Sequence, residues 1–312
     1  MIMVNKGPAY AKALLAELKF SGSPDARSIA AQLQLDITEL DVQGFDGSLV
    51  RAKGTPLGAI IVRDSIREPG RKSFTVAHEI GHFVLPGHDA GGAVCGSSDI
   101  GNWADASREL EREADEFAAE LLLPTDYAQP KFRGESPSLK IIQTVANESN
   151  VSFSATAWRY CDLVSERCAV VWSKNGKISW YKPSQEFGFY LKRGREISKG
   201  TQAWECFSGT RSHERPEPVS ADLWLDERVV QENSVLLEHS IGLPFYESVL
   251  SLLWIKDRIE RYSDYDEPEP EETDPYRFDS VHRRCRCVPT NALVFANSLT
   301  LKSQFSKGAH LE

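Results

Sequence analysis

Apolar residues follow two rhythms along this chain, and the change from one to the other divides it. Ala11, Leu14, Leu15 and Leu18 recur at helical spacing, so residues 8–20 read as a short helix. Ser21-Gly22-Ser23-Pro24 interrupts it, and Asp25 stands where it caps a second helix, Ala26–Leu33. Three β-prone runs follow, Ile37–Val42, Ser48–Ala52 and Ala59–Val62, punctuated by Gly44, Asp46, Gly47 and Gly54. Their close spacing predicts a small antiparallel sheet. Helical periodicity returns over Phe74–Leu85, with Ser73 as N-cap and Pro86-Gly87 as the stop. The stretch from Gly87 to Gly101 has no period and reads as a loop. A strong helical pattern runs from about Ala106 to Leu123 and ends at Pro124. Ser138–Ala146 and Phe153–Leu163 are two shorter helices flanking the polar turn Asn147-Glu148-Ser149-Asn150.

From Cys168 onward the texture becomes β-like. Ala169–Trp172 and Ile178–Lys182 flank Lys174-Asn175-Gly176-Lys177, a hairpin signal, and β-prone or mixed segments including Val249–Ile255 continue to about Ile259. Ser263–Asp274 is acidic and contains proline, a composition that cannot bury enough apolar surface to order itself. The expected organisation is therefore an N-terminal helix (1–24), an α+β domain (25–135), a helical segment (136–165), a β-rich regulatory or docking domain (166–262) and an acidic flexible tail (263–312).

Charge and composition narrow the function classes. With a net charge of −9 the chain has no bulk attraction to phosphates, so direct DNA binding is not expected. No apolar run approaches the roughly 20 residues that span a bilayer, and the start lacks the apolar core of a secretory signal. A cytoplasmic protein with no membrane partner is expected. Cys95, Cys161, Cys168, Cys206, Cys285 and Cys287 lack a scaffold-like spacing and are read as free thiols.

The chemistry concentrates in the helix after Ser73. His78 and His82 are one helical turn apart, so both imidazoles project from one face and can hold a single ion. Glu79, displaced around the helix, is the candidate general base for water activated by that ion. Zinc suits the chemistry because it takes nitrogen and oxygen ligands and lowers the pKa of bound water to about 7; manganese would also accept this donor set. Phe74, Ala77, Ile80, Phe83 and Val84 leave this helix little polar surface, so solvated histidines are a poor alternative. A third protein ligand is required. At about 100° per residue, Glu111 projects inside the apolar arc of the following helix, between Ala118 and Leu122. Glu109, Glu116 and Glu120 fall outside that arc, and Glu113, just past its edge, is the reserve ligand. Asp115, one turn after Glu111, is placed either to orient a liganding histidine or to be a plain exposed acid.

Arg71-Lys72-Ser73-Phe74-Thr75-Val76-Ala77-His78-Glu79-Ile80-Gly81-His82, followed by Glu111-Arg112-Glu113-Ala114-Asp115-Glu116-Phe117-Ala118-Ala119-Glu120-Leu121-Leu122-Leu123-Pro124, resembles the ImmA/IrrE family of metallo-endopeptidases. The resemblance covers about residues 25–165. It implies an α+β, zincin-like metallopeptidase domain, with His78, His82 and Glu111 as zinc ligands and Glu79 as catalytic base. It also implies cleavage of helix-turn-helix repressors, and a helix-turn-helix-like segment matching Ser138–Leu163. The family often carries Asn where this chain has Asp115, which leaves that residue's role open.

Weaker signals are His282, Cys285 and Cys287, an H-x-x-C-x-C cluster without an evident fourth ligand, and His88 or Tyr127 as candidate oxyanion donors. The competing reading is a transcription regulator or sensor that keeps the metal for structure and acts by binding; a general degradative protease is a third. An intact Glu79 favours the enzyme, because a structural site needs no base.

Overall fold

The computed structural model describes residues 6–51, 57–88, 100–133, 136–209, 213–226, 230 and 234–256. Helix α1 (Lys6–Glu17) precedes α2 (Ala26–Gln32), where Asp25 accepts the Ser28 N–H at 3.1 Å as the N-cap. Strands β1 (Leu35–Leu40), β2 (Gly47–Arg51) and β3 (Gly58–Arg63) form a sheet in the order β1-β3-β2. This sheet is not wholly antiparallel: β2 pairs antiparallel with β3, but β1 runs parallel to it. The reason lies in β3, whose Ile60 and Val62 are fully buried. The most apolar strand takes the centre, so β1 and β2, neighbours in sequence, are separated onto its two edges.

Helix α3 (Pro69–Val84) begins before Ser73, because Pro69 occupies the first turn, where its missing N–H costs nothing. It packs against α4 (Ile100–Leu122), which also starts earlier than the apolar pattern indicated. A methyl group on Gly81 would lie 3.1 Å from the Phe117 ring and 3.3 Å from the Ala114 backbone. Glycine within the His78–His82 turn thus sets how close the two helices come. Helix α1 packs into the same core. Ala11, Leu14 and Leu15 join Phe117, Leu121, Ile80 and Ile60 in one core, and a side chain at Gly7 would overlap the Glu113 carbonyl on α4.

Beyond Pro124 come α5 (Thr125–Phe132), unforeseen because Pro130 lies inside it, then α6 (Leu139–Ser149) and α7 (Phe153–Leu163), capped by Ser138 and Ser152. Strands β4 (Cys168–Lys174) and β5 (Lys177–Pro183) form the expected hairpin. Its Asn175 and Gly176 both have positive φ, as a two-residue turn of this hand requires. After α8 (Gln202–Ser208), strands β6 (Glu217–Ser220), β7 (Val235–Leu243) and β8 (Ser248–Trp254) complete an antiparallel sheet ordered β5-β4-β8-β7-β6. Both faces of its centre are covered. Cys168, Val170 and Trp172 meet α5–α7, whereas Ala169 and Val171 meet Phe187, Ala203 and Trp224. The architecture is α+β, with the small sheet and its helices followed by a β-rich C-terminal region.

Polar contacts join these layers. His239 on β7 accepts the Leu139 N–H at 3.1 Å, capping α6 from the sheet, and burial pushes its pKa down to about 4, so the acceptor stays neutral near pH 7. Glu120 on α4, 1% exposed, pairs with Arg159 of α7 and accepts from the Thr125 N–H at 2.9 Å and the Thr125 hydroxyl at 2.8 Å. Arg159 is thus engaged inside the protein, and its charge is not offered outward. Arg159→Ala leaves a buried carboxylate whose remaining cation among the described residues is Lys12 at 3.9 Å. The expected loss is about 3 kcal/mol, the lower end for a broken buried pair because Thr125 keeps its bonds. Urea denaturation checks this as a lower midpoint at unchanged m-value.

Among the described residues no helix is long and apolar enough to cross a membrane. The tail, the His282-Cys285-Cys287 cluster and most of the Gly87–Gly101 stretch lie outside the described residues.

Candidate metal centre

Helix α3 carries His78 and His82 on the face turned toward α4, and their Nε2 atoms lie 3.0 Å apart. Both residues are buried, at 5% and 8% exposure. From α4, Glu111 places Oε2 3.3 Å from His78 Nε2 and Oε1 3.5 Å from His82 Nε2. One donor atom from each of the three lies within 4.8 Å of the other two. The Glu111 side chain is 38% exposed, so it stands at the open side of the cluster and not on a buried face. Among the described residues of α4, the buried acids are Glu113 and Glu120, both of which the apolar arc had left outside.

Electrostatics make these three groups suitable donors. Burial works to raise the Glu111 pKa, but hydrogen bonds and charge from His78 and His82 outweigh it and hold the carboxyl well below its usual range. Burial lowers the pKa of His82, against an opposing pull from Glu111, and so favours the neutral ring with a free lone pair. His78 Nδ1 lies 2.8 Å from Asp115 Oδ1, a carboxylate that only accepts, so Nδ1 holds a hydrogen and Nε2 is the atom available to an ion. In the metal-free cluster any hydrogen on these Nε2 atoms is shared with Glu111, and an ion bound at the same point would take its place. A divalent cation satisfies that arrangement, and the donor set fits zinc.

The other candidates fall into place around this cluster. Glu113, the reserve ligand, turns to His88 Nε2 at 3.2 Å and Lys6 Nζ at 3.2 Å. His88 lies behind the His82 ring, with 2.8 Å between their Nδ1 atoms, in a position unsuited to holding an oxyanion in front of the site. Tyr127 packs into the core under α5–α7. Glu79 is 3% exposed and abuts β2, where a methyl on Gly47 would lie 2.8 Å from its Oε1. Glycine there leaves the carboxylate room. From the same strand, Arg51 donates to the carbonyls of His82 and Phe83 at the end of α3 and stacks 5.0 Å from the Phe83 ring. The edge strand thus braces the helix on both sides of Glu79. No spacing rule marks His88 or Lys6 in the sequence, which is why their part in the centre was not foreseen.

Two histidines one turn apart on one helix, an intervening glutamate, and a carboxylate from a second helix define a metallopeptidase-type centre. Residues 30–160 match the model of the IrrE N-terminal-like domain, Peptidase_M78, in agreement with the ImmA/IrrE resemblance. No curated protein matches the chain. A solved structure described as a Mycobacterium tuberculosis transcriptional regulator is 13% identical, with 81% of this chain and 76% of that one covered at a TM-score of 0.47.

Proposed function

We propose that this protein is a zinc-dependent endopeptidase of the cytoplasm whose substrate is a helix-turn-helix transcriptional repressor. The convergence of His78 Nε2, His82 Nε2 and the ionised Glu111 carboxylate on one point carries the reading. Zinc held there supplies Lewis acidity, lowering the pKa of water and polarising the scissile carbonyl. The Glu79 carboxylate takes a proton from the attacking water and delivers it to the leaving amine. Asp115 orients the His78 ring through Nδ1. The β-rich region, residues 166–262, is the regulatory or docking part.

The substrate class rests on the family. Incubating the protein with candidate repressors, with and without a chelator, tests it. The expected result is cleavage of a repressor at a discrete site, stopped by the chelator and restored by zinc, with an unrelated unfolded protein left intact. Indiscriminate cutting would instead mark a degradative protease.

A further inference from the structure

The two histidines of the centre are supported differently. His78 meets a carboxylate directly, whereas behind His82 a second imidazole stands between the ring and its carboxylate. We infer that His88 is a positioning residue of the metal centre, linking the Glu113 carboxylate to His82 and fixing the tautomer in which His82 Nε2 offers its lone pair to the ion.

The proton positions follow from the outer end inward. Glu113 lies 3.2 Å from the Lys6 ammonium and only accepts. His88 Nε2, 3.2 Å from Glu113 Oε2, must therefore carry hydrogen. The side chain is fully enclosed, and with Nε2 donating to Glu113 its Nδ1 is the position from which the ring accepts; the 2.8 Å between the two Nδ1 atoms has room for one hydrogen. His82 Nδ1, 2.8 Å away, then donates, which leaves Nε2 of His82, facing Glu111 and His78 Nε2, as the atom offered to the ion. No step of this chain uses the metal. The support reaches the first turn of α1, where the close contact of Gly7 with the Glu113 backbone keeps Lys6 in range. Docking of the N-terminal helix thereby becomes part of what the centre stands on.

The inference rests on the proposed metal site, and the test separates the two. Zinc dissociation constants are measured by chelator competition on the full chain for His88→Ala, His88→Asn, Glu113→Gln and Glu111→Gln, alongside cobalt absorption spectra and apo-protein melting. His88→Ala is expected to weaken zinc about 10–100-fold, the range seen for partners of liganding histidines, and to alter the cobalt bands. His88→Asn keeps an acceptor near the Nδ1 position and recovers part of that loss, which a mere packing role would not produce. Glu113→Gln, which removes the charge but keeps an acceptor, shows a smaller loss. If His88→Ala does not fold, the Asn and Glu113→Gln proteins decide the matter by the same readouts. Unchanged affinity and cobalt bands in the folded His88 and Glu113 variants, with Glu111→Gln strongly weakened, overturn the relay alone. Unchanged affinity in Glu111→Gln overturns the metal site, and the relay with it.

Discussion

Glu79→Gln is expected to remove peptide hydrolysis while the protein keeps its metal. The substitution preserves the shape of a side chain that is 3% exposed and confined against β2 at Gly47, so packing is disturbed little. What disappears is the ability to take a proton from water and return it to the amine. General acid–base groups contribute about 10²–10⁴ in rate, so turnover falls by that factor or below detection. Metal content is unchanged, because Glu79 is not among the three converging donors. Measuring both quantities on one preparation distinguishes an enzyme from a regulator that uses the same centre for structure. In a regulator, the change would leave the cellular effect intact.

The second large effect is expected at Glu111. Among the described residues, its carboxylate is the contribution of α4 to the cluster and faces both Nε2 atoms, at 3.3 and 3.5 Å. Glu111→Gln keeps the size and removes the charge. Zinc affinity should fall further than the 10–100-fold typical of partners that touch a ligand only from behind, and hydrolysis falls with it. Folding is affected little, since the side chain is 38% exposed. The two substitutions therefore differ in kind. Glu79→Gln separates chemistry from binding; Glu111→Gln removes both. Atomic absorption after dialysis, with activity measured before and after added zinc, reads this difference.

Much of the centre was legible in the sequence because helical periodicity is a local property. The spacing of His78 and His82 fixes their common face whatever surrounds them, and the phase of α4 singled out Glu111. Yet the stated reason for Glu111, a place on the buried face, was not right. The buried acids are Glu113 and Glu120, and hydropathy could not mark them because their burial is made possible by partners distant in sequence, Lys6 and His88 for one, Arg159 for the other. The same limit applies to the first sheet. The three strands were recognisable, but their order depends on which strand the core buries most deeply, a tertiary property. Helix α1 was recognisable from its period, but its docking on α4 was not, because nothing local to Gly7 names the Glu113 backbone that its missing side chain lets it approach. The β4–β5 hairpin was fully readable, since Asn175-Gly176 sets its own turn geometry.

The account depends on one cation held by His78, His82 and Glu111 with room left for solvent. Zinc-edge X-ray absorption on the full chain loaded with one equivalent of zinc tests that most directly. The predicted shell contains two imidazole nitrogens and carboxylate or water oxygens at about 2.0–2.2 Å, unchanged by Glu79→Gln and altered by Glu111→Gln. Failure to retain stoichiometric zinc, or a shell with thiolate sulfur at about 2.3 Å, would contradict it.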